Sequence, residues 1–169
     1  MPADIIEEMA LSRERTLAAL VEAREAGRKV IGYYCTYSPI ELALAAGAIA
    51  VPLCASRKGP LAAADNDLPQ NLCPVVRTIY DVSVTDSCPF FHSSHMVVAE
   101  TTCDGKKKMF EMLSRIKPVH IMDLPQLPAL PESLRLWERE VRRLAAAIEA
   151  LPGTRLTAAA LRRAIHLTN

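Results

Sequence analysis

Five cysteines, Cys35, Cys54, Cys73, Cys88 and Cys103, are the residues of this chain best equipped for chemistry, and none belongs to a C-x-x-C pair. They stand at steps of 19, 19, 15 and 15 residues. Thiolates are nucleophiles and soft ligands that select zinc, copper(I) or iron–sulfur clusters. Structural zinc sites bring closely spaced cysteine pairs. Dispersed single cysteines point instead to a cluster held between elements. An odd number of thiols fits free or metal-bound cysteine better than a disulfide framework. The plain alternative at each position is a small buried hydrophobe.

The elements around these thiols place them. Residues 4–26 read as a helix, with Ile6, Met9, Ala10, Leu17, Leu20 and Val21 on one stripe interrupted by Arg13, and Gly27 as its stop. Lys29–Cys35 reads as a strand, Ser38-Pro39-Ile40-Glu41 as a capping box opening a helix to Ala46, and Ala48–Leu53 as a second strand. The short crossover predicts two parallel neighbours. Residues 56–72 and Thr85–Ser94 read as loops, separated by a helix from Pro74 to about Val82. His95–Glu100 and Pro118–Met122 read as strands flanking a helix, Gly105–Ile116, that Asp104 can cap. Helix 132–151 carries an apolar seam of Leu134, Trp137, Val141, Leu144, Ile148 and Leu151, and Thr157 caps a last helix, Ala158–Thr168.

This alternation predicts a three-layer α/β fold with a parallel, Rossmann-like sheet, a helical N-terminal segment and C-terminal helices. The expected divisions are 1–28 for the first helix, 29–130 for the α/β domain and 131–169 for the closing helices. Ligands of such sheets bind outside the carboxyl ends of the strands. Cys35, Cys54 and Cys103 each follow a predicted strand, and Cys73 opens a helix, so the pattern gathers four thiols on one sheet edge. Cys73, Cys88 and Cys103 each precede a helix start or turn, where backbone N–H groups favour thiolate.

Composition narrows the function classes. Half of the residues are apolar and 23% are charged, with net charge +1. No run approaches the roughly 18 apolar residues of a spanning helix, so no membrane segment is expected. The acidic N-terminus lacks a signal-peptide pattern, and a cytoplasmic protein is expected. The basic clusters, Lys106–Lys108 and the arginines 135, 139, 142 and 143, are short or interleaved with glutamate. With one Trp, four Tyr and three Phe the chain lacks stacking platforms, and nucleic acid is not expected as a partner. His92 and His95, beside Cys88, are candidate proton donors or ligands, with a loop histidine bound to backbone as the alternative. His120 and His166 read as structural. Tyr33, Thr36, Tyr37 and Ser38 lie where a substrate carbonyl or a cluster-bound water could sit, with packing and capping as their alternative. Arg77 could neutralise cluster charge or form a surface ion pair.

Three segments together carry a resemblance. Gly32-Tyr33-Tyr34-Cys35-Thr36-Tyr37-Ser38-Pro39-Ile40-Glu41, Asn71-Leu72-Cys73-Pro74-Val75-Val76-Arg77 and Glu100-Thr101-Thr102-Cys103-Asp104-Gly105-Lys106-Lys107-Lys108 resemble the 2-hydroxyacyl-CoA dehydratase and benzoyl-CoA reductase family. Cys88-Pro89-Phe90 and the Thr-Thr-Cys-Asp-Gly-Lys-Lys-Lys string most resemble its double-cubane cluster branch. The resemblance implies two α/β domains with an iron–sulfur cluster between them. It implies cluster ligation by Cys73 and Cys103, with further ligands from a second domain or subunit, and a position near Cys35 beside the cluster's open iron. In the double-cubane branch Cys35, and Cys54 or Cys88, would join the ligands. It also implies an ATP-dependent activator that delivers low-potential electrons, a dimer of subunits, and a reductase or a dehydratase reaction. Lys106–Lys108 could receive the activator or a CoA phosphate.

The chain stops at Asn169, where homologues of this kind run on for about as long again. A fragment, a split gene or a degenerate gene is expected, and independent catalysis is in doubt. The rival expectations are a noncatalytic α/β module, a dehydratase subunit with a single four-iron cluster, and zinc bound by the same thiols.

Overall fold

A computed structural model of the protein describes residues 3–55 and 59–169. Four short apolar runs form the strands β1 (Val30–Tyr33), β2 (Ile49–Pro52), β3 (Met96–Glu100) and β4 (Val119–Met122). They pair in parallel in the order β2-β1-β3-β4, with Tyr33 opposite both Pro52 and Val98, and Glu100 opposite Met122. The central strands β1 and β3 are buried along their whole length, as strands covered on both faces must be.

The helices are α1 (Ala3–Glu25), α2 (Ile40–Ala45), α3 (Ala62–Asp67), α4 (Pro74–Val84), α5 (Pro89–Ser93), α6 (Asp104–Leu113), α7 (Pro131–Glu149) and α8 (Ala158–Thr168). Alternating side chains divide the core into two layers. Val30, Tyr34, Val97 and Ala99 pack with Ile79 of α4 and Met109, Phe110 and Leu113 of α6. Ile31, Tyr33, Val98 and Met122 pack with Leu42 of α2 and Leu144 and Ile148 of α7. The expected α/β fold with a parallel sheet between helical layers is the observed one. Among the described residues no helix is long and apolar enough to cross a membrane.

Four local expectations are corrected. Both segments expected as loops contain helices. In the first, the Asp81 carboxylate on α4 accepts from the N–H groups of Ala63 (3.0 Å) and Ala64 (3.3 Å) and so starts α3 from a distance in sequence. Residues 56–58 of that segment lie outside the described residues. In the second, Pro89 sets the first turn of α5 and the Cys88 thiol accepts from the Phe91 N–H at 3.5 Å.

The Ser38 capping box does not form. The helix begins one residue later than its spacing requires, so Pro39 occupies the cap position and Ser38 Oγ is buried with no hydrogen-bond partner among the described residues. Glu41 instead accepts from Thr168 Oγ1 at 2.9 Å, tying α2 to α8. At α6 the shift is in the other direction. Cys103 is the cap residue, and Asp104, the first helical residue, pairs with Lys107 at 3.3 Å. Thr157 caps α8 as expected, accepting from the Ala160 N–H at 3.1 Å.

Helix α1 buries less than its stripe predicts. Its 23 residues span about 35 Å, while a four-residue strand spans about 13 Å. Leu20 is buried and Leu17 packs against the core, but Met9 is 64% exposed and Val21 is also exposed. The side chains of Ile6, Ala10 and Arg13 lie outside the described residues. In α7, Leu144 and Ile148 are buried as expected, whereas Leu134 is 68% exposed.

His95 ties the amino ends of β1 and β3. Its backbone N–H donates to Val30 O at 2.8 Å, and its Nδ1 accepts from the Val30 N–H at 3.0 Å. Burial pulls its pKa down, helped by the charges of Lys29, Arg24 and Lys117. The folded chain therefore holds His95 neutral, and protons bind the unfolded state more readily. The resulting stability is complete above about pH 6.5 and is lost as the pH falls through the lowered folded pKa. His120, held down chiefly by burial, adds to the same trend. Urea midpoints should fall between pH 7 and pH 5.5, and His95→Gln, which keeps an acceptor without a titrating ring, should flatten that fall.

Candidate functional site

The carboxyl edge of the sheet carries a cleft built from two hollows of about 820 and 740 Å³, which share Thr36, Tyr37 and Trp137. The larger is lined by Tyr33, Cys35, Ser38, Cys54 and Lys106 among others. The smaller is lined by Thr101, Thr102, Gln126, Ser133 and Leu134 among others. The β1–α2 loop forms the wall between them, and α7 contributes Trp137 to both. This cleft explains the exposure of Leu134, whose place in the apolar seam becomes cleft wall.

The thiols of this edge are set by their elements. Cys73 is the cap residue of α4 and exposed. Its pKa is lowered by the nearby backbone N–H groups of Val76 and Val75 at the helix start, and further by the Lys106 charge. Cys103, also exposed, occupies the same position on α6. Gly105 lets the two helix starts approach, since a Cβ there would lie 2.9 Å from Leu72 Cδ1. Lys106 both lines the cleft and acts on Cys73, and so links the apposed helix starts to the Cys35–Cys54 hollow. Cys35 is half-buried at the end of β1. Cys54 follows β2, and its thiol donates to Tyr34 O at 3.5 Å.

Cys88 stands apart. Its N–H donates to Val82 O at 3.2 Å, in the last turn of α4. Cys73 caps the other end of that 11-residue helix, so the two lie about 16 Å apart. His92 and His95 accompany Cys88 away from the cleft. His92 Nδ1 pairs with the Asp86 carboxylate at 2.8 Å, and Lys117 Nζ donates to Ser94 O at 2.7 Å, just ahead of β4. Arg77 forms the ion pair expected as its alternative, with Asp65, and also donates to Gln70 O at 3.1 Å.

All five thiols are free of disulfides. Among the described residues no three His, Cys, Asp or Glu side chains converge as a metal-holding group. The donor chemistry of the edge is that of soft thiolates at two apposed helix N-termini. It fits part of the ligand shell of an iron–sulfur cluster, which takes four cysteines when complete.

Two residues of this region escaped sequence reasoning. Trp137 reads as seam, yet it lines both hollows of the cleft. Glu100 closes β3 fully buried, with neither carboxyl oxygen partnered among the described residues. An acidic residue ending an otherwise apolar strand was its one available signal.

A parallel α/β domain with paired cysteine-capped helices at the carboxyl edge defines the class. The chain belongs to the family described as 2-hydroxyglutaryl-CoA dehydratase, D-component, whose family model matches residues 35–169. It is 41% identical over 165 residues to YjiM of Escherichia coli (strain K12), provisionally named a dehydratase subunit. That match covers 98% of this chain and 43% of the relative. The chain thus spans less than half the length of the relative it matches.

Proposed function

We propose that the chain is the cluster-bearing half of a 2-hydroxyacyl-CoA dehydratase-like protein of the double-cubane type. Cys73 and Cys103 are its primary iron ligands, and Cys35 and Cys54 are the thiolates that a second cubane would recruit. The observation that carries this reading is the apposition of the α4 and α6 starts across Leu72 and Gly105, each start bearing an exposed cysteine. The remaining ligands come from a second domain or subunit, consistent with the share of the relative that this chain spans. A bound cluster would supply low-potential electrons, received from an ATP-dependent activator. Lys106 offsets negative charge beside the ligands, and the cleft beside them accepts an acyl thioester for dehydration or reduction. Assembly is as a dimer of subunits in the cytoplasm.

The test is anaerobic reconstitution of the chain, alone and together with the second half encoded beyond or beside it. Iron and sulfide analysis and electron paramagnetic resonance follow. Stoichiometric iron and sulfide with a low-potential signal support the reading, and the iron count separates one cubane from two. Zinc in place of iron, or no metal with both halves present, overturns it.

A further inference from the structure

The ends of the neighbouring strands β1 and β2 carry two thiols in register. Tyr33 lies opposite Pro52, and the Leu53 N–H donates to Tyr33 O at 2.8 Å, which extends the parallel ladder to Tyr34 and Leu53. Cys35 and Cys54 are the next pair. Neighbouring strands lie about 5 Å apart, and a disulfide joins Cα atoms about 4.4–6.8 Å apart. The side chains agree with the register. The Cys54 thiol lies 3.5 Å from Tyr34 O, the carbonyl of the peptide that joins Tyr34 to Cys35. Covalent geometry puts that oxygen about 3 Å from the Cys35 Cα, so the Cys54 sulfur is at most about 6.5 Å from it. Both residues line the larger hollow, with Cys54 exposed and Cys35 half-buried, so a small oxidant reaches them.

We propose that Cys35 and Cys54 form a redox-sensitive dithiol, which closes to a disulfide beside the larger hollow when no metal holds it. The oxidant is a small disulfide of the glutathione class. The Cys54 sulfur, the more exposed, attacks one sulfur of oxidised glutathione and forms a mixed disulfide. One glutathione leaves as its thiol with the Cys54 proton. The Cys35 sulfur then attacks Cys54 Sγ and breaks the mixed disulfide, and the second glutathione leaves with the Cys35 proton. Two protein thiols are oxidised, and one oxidised glutathione is reduced to two thiols. Excess reduced glutathione reverses both steps.

The fold selects this pair from the five thiols. In an unfolded chain loop closure favours the shortest separations, and Cys73–Cys88 and Cys88–Cys103, at 15 residues, are closer than Cys35 and Cys54 at 19. Folding reverses that order, because Cys73 caps the start of α4 while Cys88 is bonded to its last turn. β2 is an edge strand and Cys35 opens the β1–α2 loop, so both sides can make the small adjustment that a disulfide requires. A closed pair withdraws both thiols from the hollow. On the proposed double-cubane reading, it withholds the ligands of the second cubane until the pair is reduced. The disulfide itself requires no metal.

The test incubates the metal-free chain with excess oxidised glutathione, blocks free thiols with iodoacetamide and maps the peptides. Trypsin leaves both cysteines in one peptide, 30–57, and Glu41 is the one acidic residue in it, so a cut after Glu41 separates them. The expected result is the loss of two of the five alkylatable thiols, with 30–41 and 42–57 still joined after the Glu41 cut and released by reduction. Cys54→Ser should give no joined peptide. In urea the joined product should fall several-fold as pairing spreads to the shorter loops. Full alkylation of both thiols, a separate glutathione on each, pairing of either with Cys73, Cys88 or Cys103, or an equal yield in urea overturns the dithiol. A joined pair in a chain that takes up no iron on reconstitution overturns the cluster reading alone. Iron uptake by a chain whose pair never closes overturns the dithiol alone.

Discussion

Alanine at Cys73 or at Cys103 is expected to reduce the iron of anaerobically reconstituted protein to background, while alanine at Cys88 leaves it unchanged. Both primary thiols are exposed at helix starts, so little packing is lost when they are shortened. The Cys73 side chain makes no capping hydrogen bond that its truncation would remove. Neither change should unfold the chain, so a loss of iron reports ligation and not collapse. Cys88 separates the two explanations further. It caps α5 and packs on the core, so its replacement costs stability at least as readily, yet it lies across the length of α4 from Cys73. Iron retained in Cys88→Ala and lost in the other two, with unchanged far-ultraviolet circular dichroism in all three, is the expected outcome. Cys35→Ala and Cys54→Ala measure the second cubane, because each should remove about half of the iron if two cubanes form and little if one does. Full iron in Cys73→Ala would remove the basis for placing the cluster at the apposed helix starts.

The different fates of these thiols show what residue order can and cannot carry. The strands were legible because parallel buried strands are written as continuous apolar runs, as in Met96-Val97-Val98-Ala99. Once the strands were known, the edge holding Cys35, Cys54 and Cys103 followed from the direction of a parallel sheet. Cys73 followed from the proline after it. Cys88 precedes a proline in the same way, but its helix is a single turn that carries the chain back to the amino edge. Nothing local distinguishes such a turn from the start of a crossover helix. Helix α3 was hidden for a related reason, because its cap is supplied by Asp81 from 17 to 18 residues away. Ser38 failed by one residue. Serine, proline and glutamate stand at capping-box spacing, but the N–H groups that Ser38 would cap belong to a helix that starts at Ile40. That displacement leaves its hydroxyl buried without a hydrogen-bond partner among the described residues.

Gly32→Ala is expected to destabilise the chain by about 2–3 kcal/mol and lower its melting temperature by roughly 5–10 °C. Gly32 is the third residue of the central strand β1, and it needs no unusual backbone conformation. Its role is to be small. A Cβ there would fall 2.4 Å from Leu53 Cδ1 and 2.8 Å from Ser94 Oγ. Neither neighbour can withdraw cheaply. Leu53 is buried in the α4–α6 layer, and Ser94 Oγ is held by its bond to Phe90 O at 2.7 Å. Relief therefore requires the chain leaving β2 to lift, and that chain carries Cys54, whose thiol is bonded to Tyr34 O. The same strain reaches Tyr33, the next residue along β1. Thermal melts should thus show the loss of stability. Gly105→Ala makes the useful contrast. Its one close contact is the tip of the partly buried Leu72 side chain, which can turn aside. Its expected cost in stability is smaller, and its effect should fall on iron retention, because Leu72 packs on Gly105 between the two cysteine-bearing helix starts.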